Sequence, residues 1–218
     1  GVPLQLLERL TITFLQSFSA LSPASIPASG AILYLRGAGF RTDSQYACKF
    51  SLGGLLVMQT PATIVNRTLA NCVLSTWPTA HGKASVSLQW LAGGVAVAAL
   101  GDRSLDVTDR LSSLSSSSLS AFGAELVNVS GWGFALGEAS AYELELRLPN
   151  TPVALPPDSV APCTALDYST LSCKVPRWRY AAVTSQVLLV DRVAGSRRLV
   201  PGVTTLEFWT ELSGSLVP

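Results

Sequence analysis

The chain has 218 residues, which suits one large domain or two of about 100 residues each. Apolar residues make up 48% of it and charged residues only 13%, against about 25% charged in a typical soluble domain, which excludes a disordered chain. The formal net charge of +1 argues against a nucleic-acid-binding protein, which usually has a basic surface. So few charges indicate a surface partly covered by glycan or by adjacent protein. No apolar run approaches the roughly 20 residues of a membrane-spanning helix, so no direct membrane insertion is expected.

The first residues already suggest a repeat. GVPLQLLERLTITF at the start is similar to LVPGVTTLEFW at 199–209, so residues 1–16 are predicted to be the last strand of a preceding copy. A short amphipathic helix over residues 4–15 is the alternative, because Leu4, Leu7, Thr11 and Phe14 fit helical spacing roughly.

Residues 30–40 (GAILYLRGAGF) and 124–134 (AELVNVSGWGF) form a second repeated pair. Both alternate apolar and other residues, which predicts half-buried strands with Leu33 and Leu35, or Val127 and Val129, pointing inward. Each stretch ends in Gly-x-Gly-Phe, where a sharp turn or bulge leaves no room for a β-carbon.

A third pair of segments, 84–107 and 185–208, sets the length of the repeat. Val86 and Leu88 correspond to Val187 and Leu189, and the hairpin-turn position holds Gly93-Gly94 or Gly195-Ser196. The repeat of about 100 residues is too long for a solenoid and is typical of a β-sandwich. The serine-rich stretch 111–120, interrupted by leucines, is predicted to be a short ordered connection packed against both copies.

Four cysteines allow three pairings. Cys48 and Cys72 lie in one half of the chain and Cys163 and Cys173 in the other, which favours one disulfide per half. Four free buried thiols in a cytosolic protein are the alternative, and it is less favoured because no spacing matches a zinc or redox motif.

These motifs together resemble the IPT/TIG domain, an immunoglobulin-like sandwich. The first copy has Pro27, Gly30, the turn 37–40, Cys48-Lys49-Phe50, then Cys72 and Pro78, and the second has Gly123, the turn 131–134, Cys173 and Pro176. The resemblance implies an all-β chain of tandem immunoglobulin-like β-sandwich domains, at 19–110 and 119–213. The second copy departs from the pattern, because Leu144 stands in place of Cys48 and a proline-rich insertion at 146–159 is predicted to be an exposed contact loop.

Catalytic and metal-binding motifs are not recognisable in the sequence. His81, the single histidine, lies between Pro78 and Gly82 and is expected to be a solvated loop residue. Glu143 and Glu145 share one strand face and are expected on an exposed strand edge, not in a paired-carboxylate site. The sequence therefore predicts no enzyme activity, no metal site and no cofactor.

Two kinds of surface site are expected. The tripeptides starting at Asn66 and Asn128 are N-glycosylation sequons, and Asn128 should point outward because its neighbours point inward. A basic cluster with an aromatic residue between its arginines is a possible contact for an anion, an acidic glycan or a protein partner, formed by Lys174, Arg177, Trp178, Arg179, Arg197 and Arg198. The alternative is a solvated strand end with Trp178 covering the core.

The sequence thus predicts a structural or adhesive segment of a secreted or cell-surface glycoprotein, built as an array of immunoglobulin-like domains and able to form filaments. The expected partners are neighbouring domains of the same array, further copies, other surface proteins or glycans. A flagellar or cell-wall coat is one such location, suggested by analogy alone. A receptor or adhesin ectodomain that binds a specific protein or glycan is the alternative.

Overall fold

The computed structural model describes residues 15–137, 141–150, 159–180, 184–192 and 198–209, and these form strands and connecting turns. The fold class is all-β, as predicted. No helix in these ranges is long and apolar enough to cross a membrane. The predicted strand over residues 1–16 lies almost wholly outside the described residues, as do Gly195, Ser196 and Arg197.

The first sheet has ten strands. They are β1 (Ser17–Ser22), β2 (Ser25–Pro27), β3 (Ala31–Ala38), β4 (Tyr46–Leu52), β5 (Leu55–Asn66), β6 (Leu69–Leu74), β7 (Gly82–Trp90), β8 (Val95–Ala96), β9 (Ala98–Ala99) and β10 (Ser104–Thr108). Their order is β2-β10-β7-β4-β5-β6-β3-β1-β9, with β8 beside β7. The turn at 91–94, between β7 and β8, confirms the predicted hairpin at Gly93-Gly94.

This sheet folds over on itself to enclose one core. The long strand β5 pairs with β4 on one side and with β6 on the other. Buried side chains from β3 and β6 form a single cluster with those from β4, β7 and β10, so the two halves of the sheet face each other. The pairing of β3 with β6 on one face, of β4 with β7 and β7 with β10 on the other, and the parallel pairing of β2 with β10 are the arrangement of an immunoglobulin-like sandwich.

The second sheet has eight strands and repeats this arrangement. They are β11 (Arg110–Leu114), β12 (Ser118–Ser120), β13 (Leu126–Trp132), β14 (Tyr142–Arg147), β15 (Ser159–Ala165), β16 (Thr170–Lys174), β17 (Thr184–Asp191) and β18 (Arg198–Trp209). Their order is β11-β13-β16-β15-β14-β17-β18-β12, so β15 links the two faces as β5 does in the first sheet. We call the two units the first and the second sandwich.

The core positions predicted from alternation are confirmed. Leu33, Leu35, Val127 and Val129 have no exposed surface. The matching residues of β7 and β17 are at most 1% exposed: Val86, Leu88, Val187 and Leu189. Each such side chain stabilises its sandwich by about 1.5–3 kcal/mol relative to an exposed position.

The Gly-x-Gly-Phe turns are required by close packing and by backbone conformation. A β-carbon on Gly37 would overlap the carbonyl oxygen of Ser17, and one on Gly131 would overlap that of Arg110. The second glycine of each turn, Gly39 or Gly133, has a φ of 77° or 79°. The first glycine of each turn is therefore required because the preceding strand, β1 or β11, lies directly against it, and the second because its φ is positive.

The serine-rich stretch contributes strands to the second sheet. Residues 110–114 form β11, which pairs with β13, and residues 118–120 form β12, which pairs with the last strand β18. Leu111 and Leu119 are the buried residues of these strands. Because β10 ends at Thr108 and β11 begins at Arg110, Asp109 alone lies between the two sheets.

Each sandwich has one disulfide. Cys48 of β4 is joined to Cys72 of β6, across the intervening strand β5, with the Cα atoms 6.3 Å apart. Cys163 of β15 is joined to Cys173 directly opposite on β16, with Cα atoms 4.0 Å apart. The described cysteines include none that is free.

The exposed strand edge predicted for Glu143 and Glu145 is wrong. They lie on β14, which is an inner strand between β15 and β17. The carboxylate of Glu145 contacts the guanidinium of Arg147 at 2.6 Å, with both side chains at most 1% exposed. Leu146 and Arg147 are also strand residues, so the insertion starts later than predicted, and residues 151–158 lie outside the described ranges.

Candidate functional site

The junction between the sandwiches brings together residues that are distant in sequence. The backbone N–H of His81 in the first sandwich donates a hydrogen bond of 2.7 Å to the carbonyl oxygen of Gly133 in the second. Trp132, beside that glycine, packs against the core of the first sandwich. A β-carbon on Gly133 would lie 2.8 Å from the Ala28 side chain, so the glycine allows the close approach.

The expectation that His81 is solvated is wrong. Its side chain is 13% exposed and lies between two carboxylates that are almost fully buried. Its Nδ1 is 2.9 Å from the Gly133 carbonyl oxygen and 3.5 Å from Oδ2 of Asp109, and its Nε2 is 3.3 Å from Oδ2 of Asp191. His81 of the first sandwich, Asp191 of the second and Asp109, which joins the two, therefore form one buried cluster.

Tyr142 holds the joining residue in place. Its hydroxyl group donates to Oδ2 of Asp109 at 3.2 Å and accepts the backbone N–H of Ala135 at 2.9 Å. Burial raises the pKa of the Tyr142 phenol far above its ordinary value, and the nearby charge of Asp109 raises it further. The hydroxyl thus stays protonated and remains a donor to the aspartate.

The same tyrosine contact occurs at the start of the first sandwich. The hydroxyl of Tyr46 donates to the side chain of Gln16 at 2.9 Å and accepts the backbone N–H of Arg41 at 3.0 Å. Gln16 directly precedes β1 as Asp109 precedes β11. Opposite Tyr46 on the neighbouring strand is Trp90, whereas Asp191 is opposite Tyr142.

Each sandwich thus has two distinct ends. We call the end with the tyrosine and the Gly-x-Gly-Phe turn the upstream end, and the opposite end the downstream end. At the junction, the downstream end of the first sandwich, with Ala28 and His81, meets the upstream end of the second. The upstream end of the first sandwich has a groove lined by apolar and polar residues: Leu15, Gln16, Trp90, Val95, Ala96, Val97 and Ala98.

The predicted basic cluster lies at the downstream end of the second sandwich. Lys174, Arg177 and Arg179 are exposed, but Trp178 is buried and stacks on Phe208 with the ring centroids 4.5 Å apart. The backbone N–H of Trp178 donates to the Ala121 carbonyl oxygen, as that of Trp77 does to Ala28. Trp178 therefore covers the core and offers no ring face to a partner. Arg198 belongs to β18, and Arg197 lies outside the described residues.

Both sequon asparagines are exposed. Asn128 points outward between the buried Val127 and Val129, as expected. The side-chain oxygen of Asn66 accepts hydrogen bonds from the backbone N–H and the hydroxyl of Thr68, at 2.8 and 2.9 Å. This local turn presents the Asn66 side chain at the surface between β5 and β6.

Sequence reasoning missed Asp109, Asp191 and both tyrosines. The sequence did contain two signals for such roles. Tyr46 and Tyr142 occupy the same position of the repeat, and Trp178 follows Cys173 at the same spacing as Trp77 follows Cys72. No comparable signal exists for the two aspartates, because their counterparts in the first copy are Gln16 and Trp90.

No protein-family model matches the sequence, and no curated protein matches it. A solved structure of the full extracellular region of plexin A4 covers 89% of the chain at 9% identity and a TM-score of 0.34. The Bacteroides ovatus mixed-linkage glucan utilization locus protein SGBP-B, in complex with a mixed-linkage heptasaccharide, covers 89% at 11% identity and a TM-score of 0.31. A tetra-tandem repeat from the extending region of a large adhesion protein covers 89% at 15% identity and a TM-score of 0.34.

The chain spans 22%, 47% and 49% of the length of these three structures, respectively. Such low identities and TM-scores assign neither a ligand nor an activity to this chain.

Proposed function

We propose that the chain is a non-catalytic structural segment of a secreted or cell-surface glycoprotein, in which immunoglobulin-like sandwiches of the IPT/TIG type follow one another end to end. The observation that supports this proposal is the junction. Asp109 alone separates the two sheets, and it is buried between His81 of the first sandwich and Tyr142 of the second. A direct joint of this kind limits the movement of one sandwich relative to the other, as a rod or filament requires.

The remaining two ends favour a longer array. The upstream end of the first sandwich repeats the tyrosine contact of the junction, with Gln16 in the place of Asp109. Around it, Leu15, Leu91 and Val95 are 77%, 44% and 60% exposed, so this end has an apolar surface. In the second sandwich, Asp109 and Asp191 stand where the first has Gln16 and Trp90, and both are buried at the junction. We therefore expect a preceding sandwich to cover the upstream end of the first.

The downstream end of the second sandwich corresponds to the end of the first that carries Trp77 and His81. Arg177 and Arg179 lie on this surface, so a following sandwich is the partner that the repeat favours for the basic cluster. An acidic or hydrogen-bonding upstream end would suit these two guanidinium groups.

The cysteines and the sequons support the proposed compartment. Disulfides form and persist in oxidising environments, which favours an extracellular or cell-surface protein. Asn66 and Asn128 would then be glycosylated and would cover part of a surface with few charges. A coat on a flagellum or a cell wall is one structure that such an array builds.

Self-association at high concentration tests the proposal. Neighbours joined in one chain experience an effective concentration of about 1 mM, so the isolated contact needs only weak affinity and measurements must reach that range. The experiment is sedimentation equilibrium of the chain secreted with its glycans, compared with a Val95→Asp variant of the upstream end. We expect concentration-dependent association of the wild type and weaker association of the variant.

The matched control is Leu166→Asp, since Leu166 is also 60% exposed but lies in the turn between β15 and β16. This control should associate like the wild type. A chain that stays monomeric throughout this range, or one that responds equally to both substitutions, would contradict end-to-end contact.

A receptor or adhesin role is the second candidate, favoured by the exposure of Arg177 and Arg179 beside a depression lined by Ser159, Val160 and Pro176. A binding screen with sulfated and carboxylated glycans tests it. The Arg177→Ala and Arg179→Ala double variant should lose binding without loss of stability, because both side chains are exposed. Absence of binding by the wild type would remove this candidate.

A further inference from the structure

The cluster at the junction contains a metal-ligand set that the sequence did not predict. His81 comes from the loop before β7, Asp109 joins the two sheets, and Asp191 ends β17. One ligand atom from each of the three side chains lies within 4.8 Å of the other two. The two carboxylates are 1% and 2% exposed, so the cluster is inside the molecule and not on an acidic surface.

The hydrogen bond at Nδ1 orients the histidine as in many metal sites. A carbonyl oxygen only accepts, so Nδ1 must carry the proton in its 2.9 Å contact with Gly133. In the neutral imidazole, Nε2 then presents its lone pair toward the Asp191 carboxylate. An Nδ1–H bonded to a backbone carbonyl is the usual arrangement behind a metal-binding Nε2.

Either a second ring proton or a metal ion can lie between Nε2 and the Asp191 carboxylate. A second proton on the ring would make a charge-assisted hydrogen bond, for which about 2.7–2.9 Å is typical. An ion bonded to a nitrogen and an oxygen at about 2.0–2.1 Å each, with a tetrahedral angle between them, separates the two atoms by about 3.3–3.4 Å. The observed separation of 3.3 Å leaves room for such an ion, and it is also within reach of a hydrogen bond, so metal titration separates the two.

We propose that His81 Nε2, Asp191 and Asp109 bind one divalent transition-metal ion, and that this ion connects the two sandwiches. The Asp109 ligand atom would be Oδ1, because Oδ2 faces Nδ1 and accepts from Tyr142. One imidazole nitrogen with two carboxylates suits Zn²⁺ best, because imidazole favours late first-row ions whereas Ca²⁺ and Mg²⁺ prefer oxygen ligands alone. Tyr142 orients the Asp109 carboxylate from behind through its hydrogen bond.

The site is particular to this junction. At the upstream end of the first sandwich, Gln16 and Trp90 occupy the positions of Asp109 and Asp191. Neither is a good metal ligand. The inference goes beyond the structural role proposed above and does not depend on it, because the whole ligand set lies within one chain.

Zn²⁺ binding by the untagged, chelator-treated chain is the direct test. Because His81 is the single histidine, the imidazole resonances in an NMR spectrum belong to it alone. We expect them to shift until one equivalent of Zn²⁺ has been added, and the thermal midpoint to rise with further Zn²⁺ and to fall again with chelator. Ca²⁺ and Mg²⁺ at the same concentrations should produce neither change.

Asp191→Asn tests the ligand set, since it keeps the shape of the side chain. We expect its Zn²⁺ affinity, measured by calorimetry, to fall more than about 100-fold. Loss of a residue that only supports a ligand lowers metal affinity by about 10–100-fold. Asp167→Asn is the matched control, because Asp167 is exposed in the same sandwich and its turn accepts asparagine equally well. The control should bind like the wild type.

Three results would overturn the proposal. One is an unchanged imidazole spectrum of the wild type with about ten equivalents of Zn²⁺, a test that needs no variant. Another is a stronger response to Ca²⁺ than to Zn²⁺. The third is that Asp191→Asn lowers the thermal midpoint while neither Zn²⁺ nor chelator changes that of the wild type. This result would mean that a protonated histidine bridges the two aspartates.

Discussion

Removal of the Cys48–Cys72 disulfide should destabilise the first sandwich and leave the second nearly unchanged. The bridge closes a loop with a sequence separation of 24, against 10 for Cys163–Cys173. In the chain-entropy model these loops correspond to about 3.5 and about 2.8 kcal/mol of stability. Both Cys48 and Cys72 are fully buried, so replacement by alanine adds a smaller loss of packing.

Hydrogen exchange measured by mass spectrometry resolves the two sandwiches. In the Cys48→Ala and Cys72→Ala double variant, the free energy of opening reported by amides of β4 and β7 should fall by about 3.5 kcal/mol or slightly more. Amides of β14 and β17 should keep their protection. The Cys163→Ala and Cys173→Ala double variant should show the reverse pattern, with a loss of about 2.8 kcal/mol in the second sandwich.

Reduction of the unmutated chain provides the control for lost packing, because it opens both loops and keeps every sulfur atom. A loss below about 1 kcal/mol in the first sandwich would refute the loop-closure argument. A loss spread equally over both sandwiches would instead refute their separate cores.

Two further predictions concern buried positions of the second sandwich. Gly131→Ala should cost about 1–3 kcal/mol in denaturant unfolding of the second sandwich, because its β-carbon would overlap the Arg110 carbonyl oxygen, whereas an unchanged midpoint would contradict this packing. Glu145→Gln should cost about 3–5 kcal/mol, because it removes the carboxylate charge that lies 2.6 Å from the buried guanidinium of Arg147. The Glu145→Leu and Arg147→Met double variant should cost less in the same assay, and a double variant that is the less stable of the two would refute the argument.

The alternation of apolar residues was sufficient to predict the core of both sandwiches. Leu33 and Val127 have equivalent places in the two copies and are both fully buried. This succeeds because strand periodicity is local and because two copies of one pattern reinforce each other. The glycines of the Gly-x-Gly-Phe turns were predictable for the same reason.

The junction was not predictable, because its chemistry depends on contacts between distant segments. His81 does lie in a loop, as its neighbours Pro78 and Gly82 indicated, but Asp109 and Asp191 approach it from the joint and from the second sandwich. Local sequence carries no information about such an approach. The prediction for Glu145 was wrong for a similar reason. Alternation of residue types distinguishes the two faces of a strand, but it does not show that both faces are covered.

The serine-rich stretch shows a third kind of difficulty. Serine has little preference for strands, so composition suggested a connection. Strand pairing uses backbone groups, however, and one leucine in each short strand, Leu111 or Leu119, suffices to anchor it to the core.

The single-residue joint has a geometric consequence for any longer assembly of such units. Asp109 alone lies between the last strand of one sheet and the first strand of the next. Because so short a joint cannot act as a flexible linker, the contact surfaces set the rotation from one sandwich to its successor. Units that repeat this joint would form a helical array with a constant pitch. Outward-facing positions such as Asn66 and Asn128 would then recur at fixed angles around the axis, and one added residue at the joint would change the phase of everything beyond it.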